Sequence, residues 1–573
     1  MKLSKYFLSI TFLLFASGLL AQNASDSIIF KALTDEMSRN LKLKLESNKF
    51  PFFIQNTMAE GQYYVGRASL GALIRSMVVP LNNSNFRLMV GDYAVNDENF
   101  VSGQQNYNTG GGTNLTLPID NNYLAIRRVF WSLLDKSYKS AVDNYTQKLS
   151  VLKQQNKDKS EIVDDYTRTQ PITFITSYTS NKTDKTLWEN NIKKISSIFR
   201  NYPQIQNSSV DVYFFDSNIY SVNNEGSKIQ YNVRVACLLV NASAQAIDGE
   251  VLNDHVLCYA PISENLPSVD EITIKVKQMA ENLDKRRSAP IIEEAYQGPV
   301  VFEGDALAEL FNNKLFTNNG LLTAREPLYA VVTAKGMNNK IENKIGKRLC
   351  VENVSIVSEP TMKTFENTPL VGSYEIDGEG VIPQKDLMLV DKGILKTLLS
   401  DRVPTPKIKE SNGASRFTIF GNRQKSPGVI NISYSGGQTY NDLLKSVAVE
   451  TTKSGLEYFY VVKKFETTNI AQYIQPGSSG LTKPAAIYKV SAKTGEETLI
   501  RCANISEFPL LSLKYALGGT NGKIAYNIVA NQVITMSYVV PKAMAFNDIS
   551  IEKDNSPKGK LPIVESPLLV KAK

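Results

Sequence analysis

The 573-residue chain is 42% hydrophobic and 21% charged, and it contains four cysteines but a single histidine, His255. The hydrophobic share excludes a disordered chain, and 33 glycines with 23 prolines are too few for a collagen-like or low-complexity protein. The net charge of +8 is small for this length, and the basic residues are not gathered on one face. We therefore predict no nucleic-acid partner. With one histidine, the chain alone cannot build a zinc site from two imidazoles.

The N-terminal segment has the pattern of a secretion signal. Lys2 and Lys5 precede an uncharged apolar run over residues 6–20, and Ala21 supplies the small residue that a signal peptidase requires. We predict a signal peptide over residues 1–21, cleavage after Ala21, and a mature protein that is periplasmic or secreted. A membrane anchor is the alternative, although the run is short for a bilayer span. No later stretch is long enough, so no membrane span is predicted.

Helical and strand-like patterns alternate in the first half of the mature chain. Apolar spacing predicts a helix over residues 27–44 with Asp26 as its N-cap, and a longer helix over residues 121–155 that packs across a sheet. The basic residues of the longer helix are interpreted as a solvated face. A third helix is predicted over residues 269–287. Strands are predicted at residues 52–55, 61–65, 69–77, 85–90, 209–215, 227–240 and 251–260, with a polar loop at 104–114.

The cysteines are interpreted as mostly buried thiols. A hairpin turn centred on Asp248-Gly249 would place Cys237 opposite Ala260 and diagonal to Cys258 on the same sheet face, which leaves a disulfide between them open. Cys350 and Cys502 stand alone in apolar runs, and the sequence has no Cys-x-x-Cys pair. Thiol redox chemistry is therefore not predicted.

A charged, proline-containing break at residues 286–290 is interpreted as the boundary between two domains, 22–289 and 290–573. We predict an α+β protein in which a mixed α/β N-terminal domain, with a long helix on a sheet, precedes a mainly antiparallel β C-terminal domain. In the second domain, strands are predicted at residues 298–303, 329–334, 385–390, 428–434, 456–465, 485–491 and 498–503, and short helices at 305–312 and 439–451.

Two common chemical patterns lack support. Serine hydrolysis needs a histidine base, and His255 lies in a predicted strand where a structural role is favoured. The segment 477–480 is followed by Leu481 instead of the last glycine of a nucleophile elbow. Residues 518–523 have neither the spacing nor the hydroxyl residue of a phosphate-binding loop, and we interpret them as a turn.

Several short segments carry a combined family signal. In the first half they are Glu225-Gly226-Ser227, residues 245–249 and the helix with Trp131, Asp135 and Tyr138; in the second half they are residues 298–303, 377–381, 391–395, 399–402, 411–416 and 427–431. In this order and spacing they resemble the TldD/PmbA family of peptidases and their partners, also described as modulators of DNA gyrase. The resemblance covers most of the mature chain.

The resemblance also indicates where a metal site would lie. In the catalytic branch of the family, a His-Glu-x-x-x-His motif binds zinc, its glutamate is the general base, and a later cysteine completes the site. The resemblance places the two histidines at Phe302 and Leu307 and the glutamate at Glu303, and no cysteine follows Cys502. It therefore implies no metal, no cofactor and no catalytic residue, with Glu303 and Asp305 either vestiges or ordinary helix N-terminal carboxylates.

The family also has a PmbA-like branch without the zinc motif, which is described as pairing with a TldD-like subunit that carries it. We therefore predict a zinc-less, non-catalytic subunit of an exported protease assembly that acts on peptides. Its partner would be a TldD-like zinc-bearing paralogue or a second copy. The alternative is a peptide-binding or scaffold protein that kept the fold and lost proteolysis. A hydrolase using carboxylates and another metal is a third hypothesis, which no tight acidic cluster supports.

The loop over residues 411–416 is the other segment with a predicted role. Its Arg416 is predicted to hold a carboxylate of a substrate or a partner, because a guanidinium binds carboxylates with two parallel hydrogen bonds. The alternative is an ordinary surface arginine.

Overall fold

The computed structural model describes residues 26–43, 50–102, 115–155, 163–316, 320–330, 341–466, 482–530, 533–562, 564 and 566–569. The predicted signal peptide, the predicted loop at 104–114 and the segment 477–480 lie outside these residues. Within them, no helix combines the length and the apolar character that crossing a membrane would need. The protein is α+β with mostly antiparallel sheets, as predicted.

The first half, before Pro290, contains the two longest helices and one large sheet. In chain order its elements are α1 (residues 26–40), β1 (Pro51–Ser69), β2 (Ala72–Val90), β3 (Phe100–Val101), α2 (Tyr123–Gln154), β4 (Thr173–Ile175), α3 (Lys185–Ser197), β5 (Ile205–Asn223), β6 (Lys228–Gln245), β7 (Val251–Ala260) and α4 (Val269–Arg287). Helix α2 begins at the N-cap Asn122, whose side chain accepts hydrogen bonds from two backbone N–H groups. The three predicted helices are confirmed, with α1 ending a few residues early. The prediction of Asp26 as an N-cap was wrong, because Asp26 already lies within α1.

The strand prediction was wrong at the start of the chain. The four short strands predicted there are one hairpin of two 19-residue strands, β1 and β2. The predicted strand at 69–77 crosses the turn at Leu70 and Gly71. Both turn residues have positive φ, 47° and 77°, as in the hairpin turns that suit twisted strands. A leucine at the first of these positions gave no turn signal.

Side-chain alternation divides the large sheet into two faces. Its strand order is β2-β1-β5-β6-β4, with β7 also paired to β6. On one face, α1 and α2 cover Met58, Phe86 and Tyr220, and α3 and α4 cover a second cluster that includes Val212. On the other face, alternate residues such as Phe215 pack against the second half. The large sheet is therefore enclosed between four helices and the second half.

The predicted register of the β6–β7 hairpin was wrong by one residue. Ala246 and Glu250 close a loop whose Gly249 has φ of 89°, so that Cys237 pairs with Tyr259 instead of Ala260. A shift of one residue turns a side chain to the opposite face. Cys258 consequently packs with the α3–α4 cluster and Cys237 lies on the other face, and both are buried free thiols.

The second half is mainly strands. In chain order its elements are β8 (Tyr296–Glu303), α5 (Asp305–Phe311), β9 (Leu328–Tyr329), β10 (Val354–Ser358), β11 (Thr364–Phe365), β12 (Thr368–Pro369), β13 (Leu387–Asp391), β14 (Ile394–Leu395), β15 (Ser415–Phe417), β16 (Arg423–Lys425), β17 (Val429–Tyr434), α6 (Tyr440–Lys453), β18 (Tyr458–Phe465), β19 (Pro484–Ser491), β20 (Glu497–Ile500), β21 (Ala503–Glu507), β22 (Ala516–Gly519), β23 (Lys523–Ala530), β24 (Ile534–Pro541) and β25 (Ala543–Lys553). Most predicted strands are confirmed. The strand predicted at 329–334 reduces to β9 among the described residues. Strands β10–β12, β14–β16 and β21–β25 were not predicted.

Two larger sheets build this half. One has the order β14-β13-β10-β17-β24-β23, and the other has the order β20-β19-β18-β8-β25-β21 with β22 on β25. Helix α5 lies between them, in a core cluster drawn from both sheets, and α6 packs on the outer face of the second one. Strand β8 and helix α5 carry the positions at which the resemblance would place zinc ligands, so those positions lie at the centre of the half.

Candidate functional site

The two positions that correspond to zinc-binding histidines are filled by the apolar core. Phe302 on β8 is 0% exposed, and its ring centroid lies 5.9 Å from that of Phe508 and 6.0 Å from that of Phe546. Leu307 on α5 is also fully buried. Neither side chain has a lone pair to donate, and no group of three or more His, Cys, Asp or Glu side chains among the described residues could hold a metal ion. The residues present therefore do not fit a zinc ion.

Glu303 is held away from that core. Its carboxylate accepts a hydrogen bond from the Tyr440 hydroxyl at 2.8 Å, and the Lys463 ammonium lies 3.9 Å away. The carboxylate is partly exposed and its neighbours come from α6 and β18. As a base it has no metal-bound water to act on, so the geometry gives it a structural role at the start of α5.

Helix α5 carries two further carboxylates one turn apart, Asp305 and Glu309. Asp305 lines a cavity of about 280 Å³ between the two halves, together with His255 and Lys464. Burial raises the pKa of Asp305, and it raises the pKa of Glu309 to about 7, although the Tyr526 hydroxyl donates to Glu309 Oε1 at 2.7 Å. A carboxyl group with this pKa exchanges its proton near neutral pH.

The only histidine of the chain lies in the same cavity. His255 is 4% exposed, and its Nδ1 has no hydrogen-bond partner. Burial, and then the charge of Lys464, lower the pKa of the imidazole well below 6.5, so the ring is neutral. The Lys464 ammonium donates to Asp254 Oδ1 at 2.6 Å and to the backbone carbonyl of His255. Among the described residues, neither a serine nor a cysteine lines the cavity with the imidazole, and the structural role of His255 stays a prediction.

Arg416 lies between the halves instead of on the surface. Its side chain is 5% exposed, so the alternative of an ordinary surface arginine is wrong. The guanidinium lines a cleft of about 330 Å³, which we call the Arg416 cleft, with Tyr231–Arg234 of β6, Lys363, residues 370–371 and 373–376, and Thr535 among its walls. Its carbon Cζ lies 4.6 Å from the centroid of the Tyr374 ring. The predicted contact with a carboxylate stays a prediction.

A buried network of charges joins the halves elsewhere. Arg402 is 0% exposed, and its two terminal nitrogens donate to the two carboxylate oxygens of Glu225, each at 2.6 Å. Arg87 donates to Glu379 at 2.7 Å, and the Tyr166 ring lies beneath both guanidinium groups, 4.7 Å from Arg87 Cζ and 4.1 Å from Arg402 Cζ. A cleft of about 830 Å³ opens over this network.

Several segments of the predicted resemblance meet in this network. Glu225 begins the first of them, Glu379 belongs to the segment 377–381, Arg402 ends the segment 399–402, and Ser411 lines the cleft. Arg87 and Tyr166 were missed, because an arginine in a strand and a tyrosine in a loop give no sequence signal of a common site. Only the pairing of β1 with β2 and the path of the chain after α2 bring them together.

Comparisons with known proteins agree with this arrangement. The sequence profile described as the PmbA/TldA metallopeptidase C-terminal domain matches residues 295–469. Residues 295–469 belong to the TldD/PmbA family. A curated metalloprotease of Methanothermobacter thermautotrophicus is 35% identical over 80 residues, which are 14% of this chain and 16% of that protein.

Solved structures show the TldD/PmbA fold over almost the whole chain. A proposed modulator of DNA gyrase from Thermotoga maritima has a TM-score of 0.57 at 15% identity, and the match covers 91% of this chain and 100% of that one. TldE from Thermococcus kodakarensis has a TM-score of 0.55 at 11% identity, covering 91% and 99%. At such identities the likeness concerns the fold, so the function has to be argued from the residues of this chain.

Proposed function

We propose that this TldD/PmbA-family chain is the zinc-less, non-catalytic subunit of an exported peptidase assembly that acts on peptides. The observation that carries the proposal is the burial of Phe302 and Leu307 in the apolar core, at the positions where the resemblance would place the zinc-binding histidines. The fold is otherwise kept. A family fold in which these two positions cannot bind a metal suits a subunit whose catalytic groups come from a TldD-like zinc-bearing paralogue. Self-association with a second copy is the other pairing, and it would supply no zinc ligands at these positions.

The charged clefts between the halves support a second candidate function. A peptide-binding or scaffold protein needs a polar groove but no proteolytic partner, and the cleft over the Arg402–Glu225 pair provides such a groove. The two candidates differ in one measurable property, which is whether peptide cleavage appears when a zinc-bearing relative is added.

The deciding experiment combines this chain with an exported relative from the same genome that carries the intact His-Glu-x-x-x-His motif. We expect the two proteins to co-purify, and we expect cleavage of casein only by the pair. The matched control is the relative with its motif glutamate changed to glutamine, which should still co-purify but cleave nothing. Casein cleavage by this chain alone, or one tightly bound zinc ion per chain in elemental analysis, would contradict the proposal. Absence of both co-purification and cleavage would favour the peptide-binding or scaffold protein.

Export is a separate part of the proposal. It is supported by the pattern of Lys2, Lys5, the apolar run and Ala21. When the full-length gene is expressed in a secreting host, the intact mass of the recovered protein should correspond to a chain that begins at Gln22. Recovery of the uncleaved chain from the membrane fraction would instead favour the N-terminal anchor.

A further inference from the structure

Arg416 is a buried cation without an anionic partner. Among the described residues no carboxylate forms an ion pair with it, and the groups that act on its charge are the rings of Tyr374, Tyr231 and Tyr538. Burial lowers the pKa of the guanidinium below its usual value. Uncompensated buried charges are costly, and proteins normally pair them or use them to bind an ion.

The hydrogen bonds of Arg416 leave one edge of its planar fork free. Thr535 accepts from both terminal nitrogens, through its backbone oxygen from Nη1 and through Oγ1 from Nη2 at 3.2 Å, and so occupies the end of the fork. The backbone oxygen of Pro427 accepts the other Nη1 hydrogen at 2.7 Å. Nε is buried and has no hydrogen-bond partner within the described ranges of the chain. A guanidinium has five N–H donors, so the Nε–H and the adjacent Nη2–H remain.

The other charges of the Arg416 cleft are already paired. Lys363 lies 2.8 Å from Glu375 at the exposed rim, and Arg234 donates to Asp216 at 2.6 Å. Glu375 is therefore neutralised by a lysine and does not serve as the counter-ion of Arg416. An incoming anion would find one unpaired cation in the part of the cleft that the structure describes.

Strand β6 forms one wall of the cleft through residues 231–234. It pairs with β5 along one edge, and on the other edge with β4 at residues 228–230 and with β7 at residues 236–245. Between those partners, the backbone carbonyls of Ser177 and Thr179 accept hydrogen bonds from the side chains of Asn232 and Arg234. Residues 231–234 therefore do not offer a free strand edge, and a ligand of this cleft is held by side chains.

We propose that the Arg416 cleft, of about 330 Å³, is a carboxylate-binding site whose ligand is a small free acid or the C-terminal carboxylate of a peptide. The carboxylate would accept the Nε–H and the free Nη2–H together, in the side-on geometry that arginine offers. Nε is closed to water in this structure, so the wall beside the guanidinium must open slightly when the ligand enters. The site does not depend on whether the chain pairs with a peptidase.

The test measures binding of N-acetyl-trialanine to the purified mature chain by calorimetry. We expect the C-terminal amide of the same peptide to bind at least 10-fold more weakly, because it lacks the second acceptor oxygen and the charge. Arg416→Met should weaken binding of the free acid to the same extent, and Arg416→Lys should do so nearly as much because it keeps the charge but not the fork. Lys363→Met, which removes a cation at the rim, should change binding less than twofold.

A second measurement uses the unchanged protein, in case the Arg416 variants do not fold. The Arg416 Nε–H signal in a nitrogen–hydrogen correlation spectrum should shift on addition of the free-acid peptide and stay in place with the amide. Equal binding of acid and amide, or no shift of that signal at saturating peptide, would overturn the proposal. If acetate binds as tightly as the peptide, the carboxylate site stands, but its ligand is a small free acid and not a peptide.

Discussion

Replacing Arg402 by methionine tests whether the buried network holds the two halves together. The side chain is 0% exposed and donates to both oxygens of Glu225 and to the backbone oxygen of Thr167, the last at 2.8 Å from Nε. Its removal leaves Glu225 as a mostly buried carboxylate without its cation. Breaking a buried pair on one side costs about 3–5 kcal/mol, and a loss of about 4 kcal/mol would lower the folding equilibrium constant roughly 10³-fold.

Urea unfolding should be followed by two signals, because both tryptophans, Trp131 and Trp188, lie in the first half. Tryptophan fluorescence therefore reports on that half, and circular dichroism reports on the strands of both. We expect the Arg402→Met variant to unfold at lower urea in both signals, since the network contains residues of both halves. If only the second half lost stability, the transitions followed by fluorescence and by circular dichroism would separate.

Three further variants calibrate the loss of stability in Arg402→Met. Glu225→Gln should also be destabilising, and the double variant should lose less than the sum of the single losses, because the unpaired charge is then absent. Lys139→Met, which breaks an exposed pair with Asp135, should cost less than about 0.5 kcal/mol. A loss below about 1 kcal/mol in Arg402→Met would refute the reasoning that this network stabilises the fold.

Three other predictions follow from local geometry. The pKa of Glu309 is raised from 4.5 to about 7, so the wild type should lose stability as the pH rises through that range. Urea titrations at pH 5 and pH 8 should show a smaller loss of stability between the two pH values for Glu309→Gln. A Cβ at Gly61 would lie 2.1 Å from the Asp216 carbonyl oxygen, so Gly61→Ala should lower the free energy of unfolding by about 2–3 kcal/mol. Gly495 has open space around it, so the control Gly495→Ala should lower it by only about 1 kcal/mol. Because Cys237 and Cys258 lie on opposite sheet faces, thiol titration of the denatured, unreduced protein should find four free thiols; a count of two would contradict the register.

Patterns that repeat along the chain were predictable, and contacts between distant segments were not. Apolar spacing located α2 and α4 almost to the residue, because a helix buries one stripe of its surface whatever it packs against. The turn at Leu70 was hidden because its signal depends on backbone φ, which the sequence rarely specifies outside Gly, Asn and Asp. The β6–β7 register depended on a loop one residue longer than the Asp248-Gly249 pair implies.

The candidate sites show the same division. The resemblance of short segments led to Glu303 and Arg416. It could not show that Glu303 accepts a hydrogen bond from Tyr440, or that Arg416 is buried with an Nε–H that has no partner among the described residues. Burial of a charge depends on the packing of two sheets that are separated in sequence. Arg87 and Glu379, for example, are 292 residues apart and form a buried pair. Such pairs have no local pattern, so they cannot be located by reading neighbouring residues.

The environment of Phe302 shows why two substitutions would not recreate a zinc site. Its ring packs edge-on against Phe508 and Phe546, and Leu307 lies in the same core cluster. Histidines at both positions would lose that packing and would place imidazole nitrogens against carbon atoms, where an unpaired polar group costs about 1–3 kcal/mol. A third protein ligand would still be needed, and the described residues contain no group of three or more His, Cys, Asp or Glu side chains that could hold a metal ion. The zinc positions have therefore become part of the core that holds α5 between the two sheets, which supports our proposal that any peptidase chemistry comes from a partner.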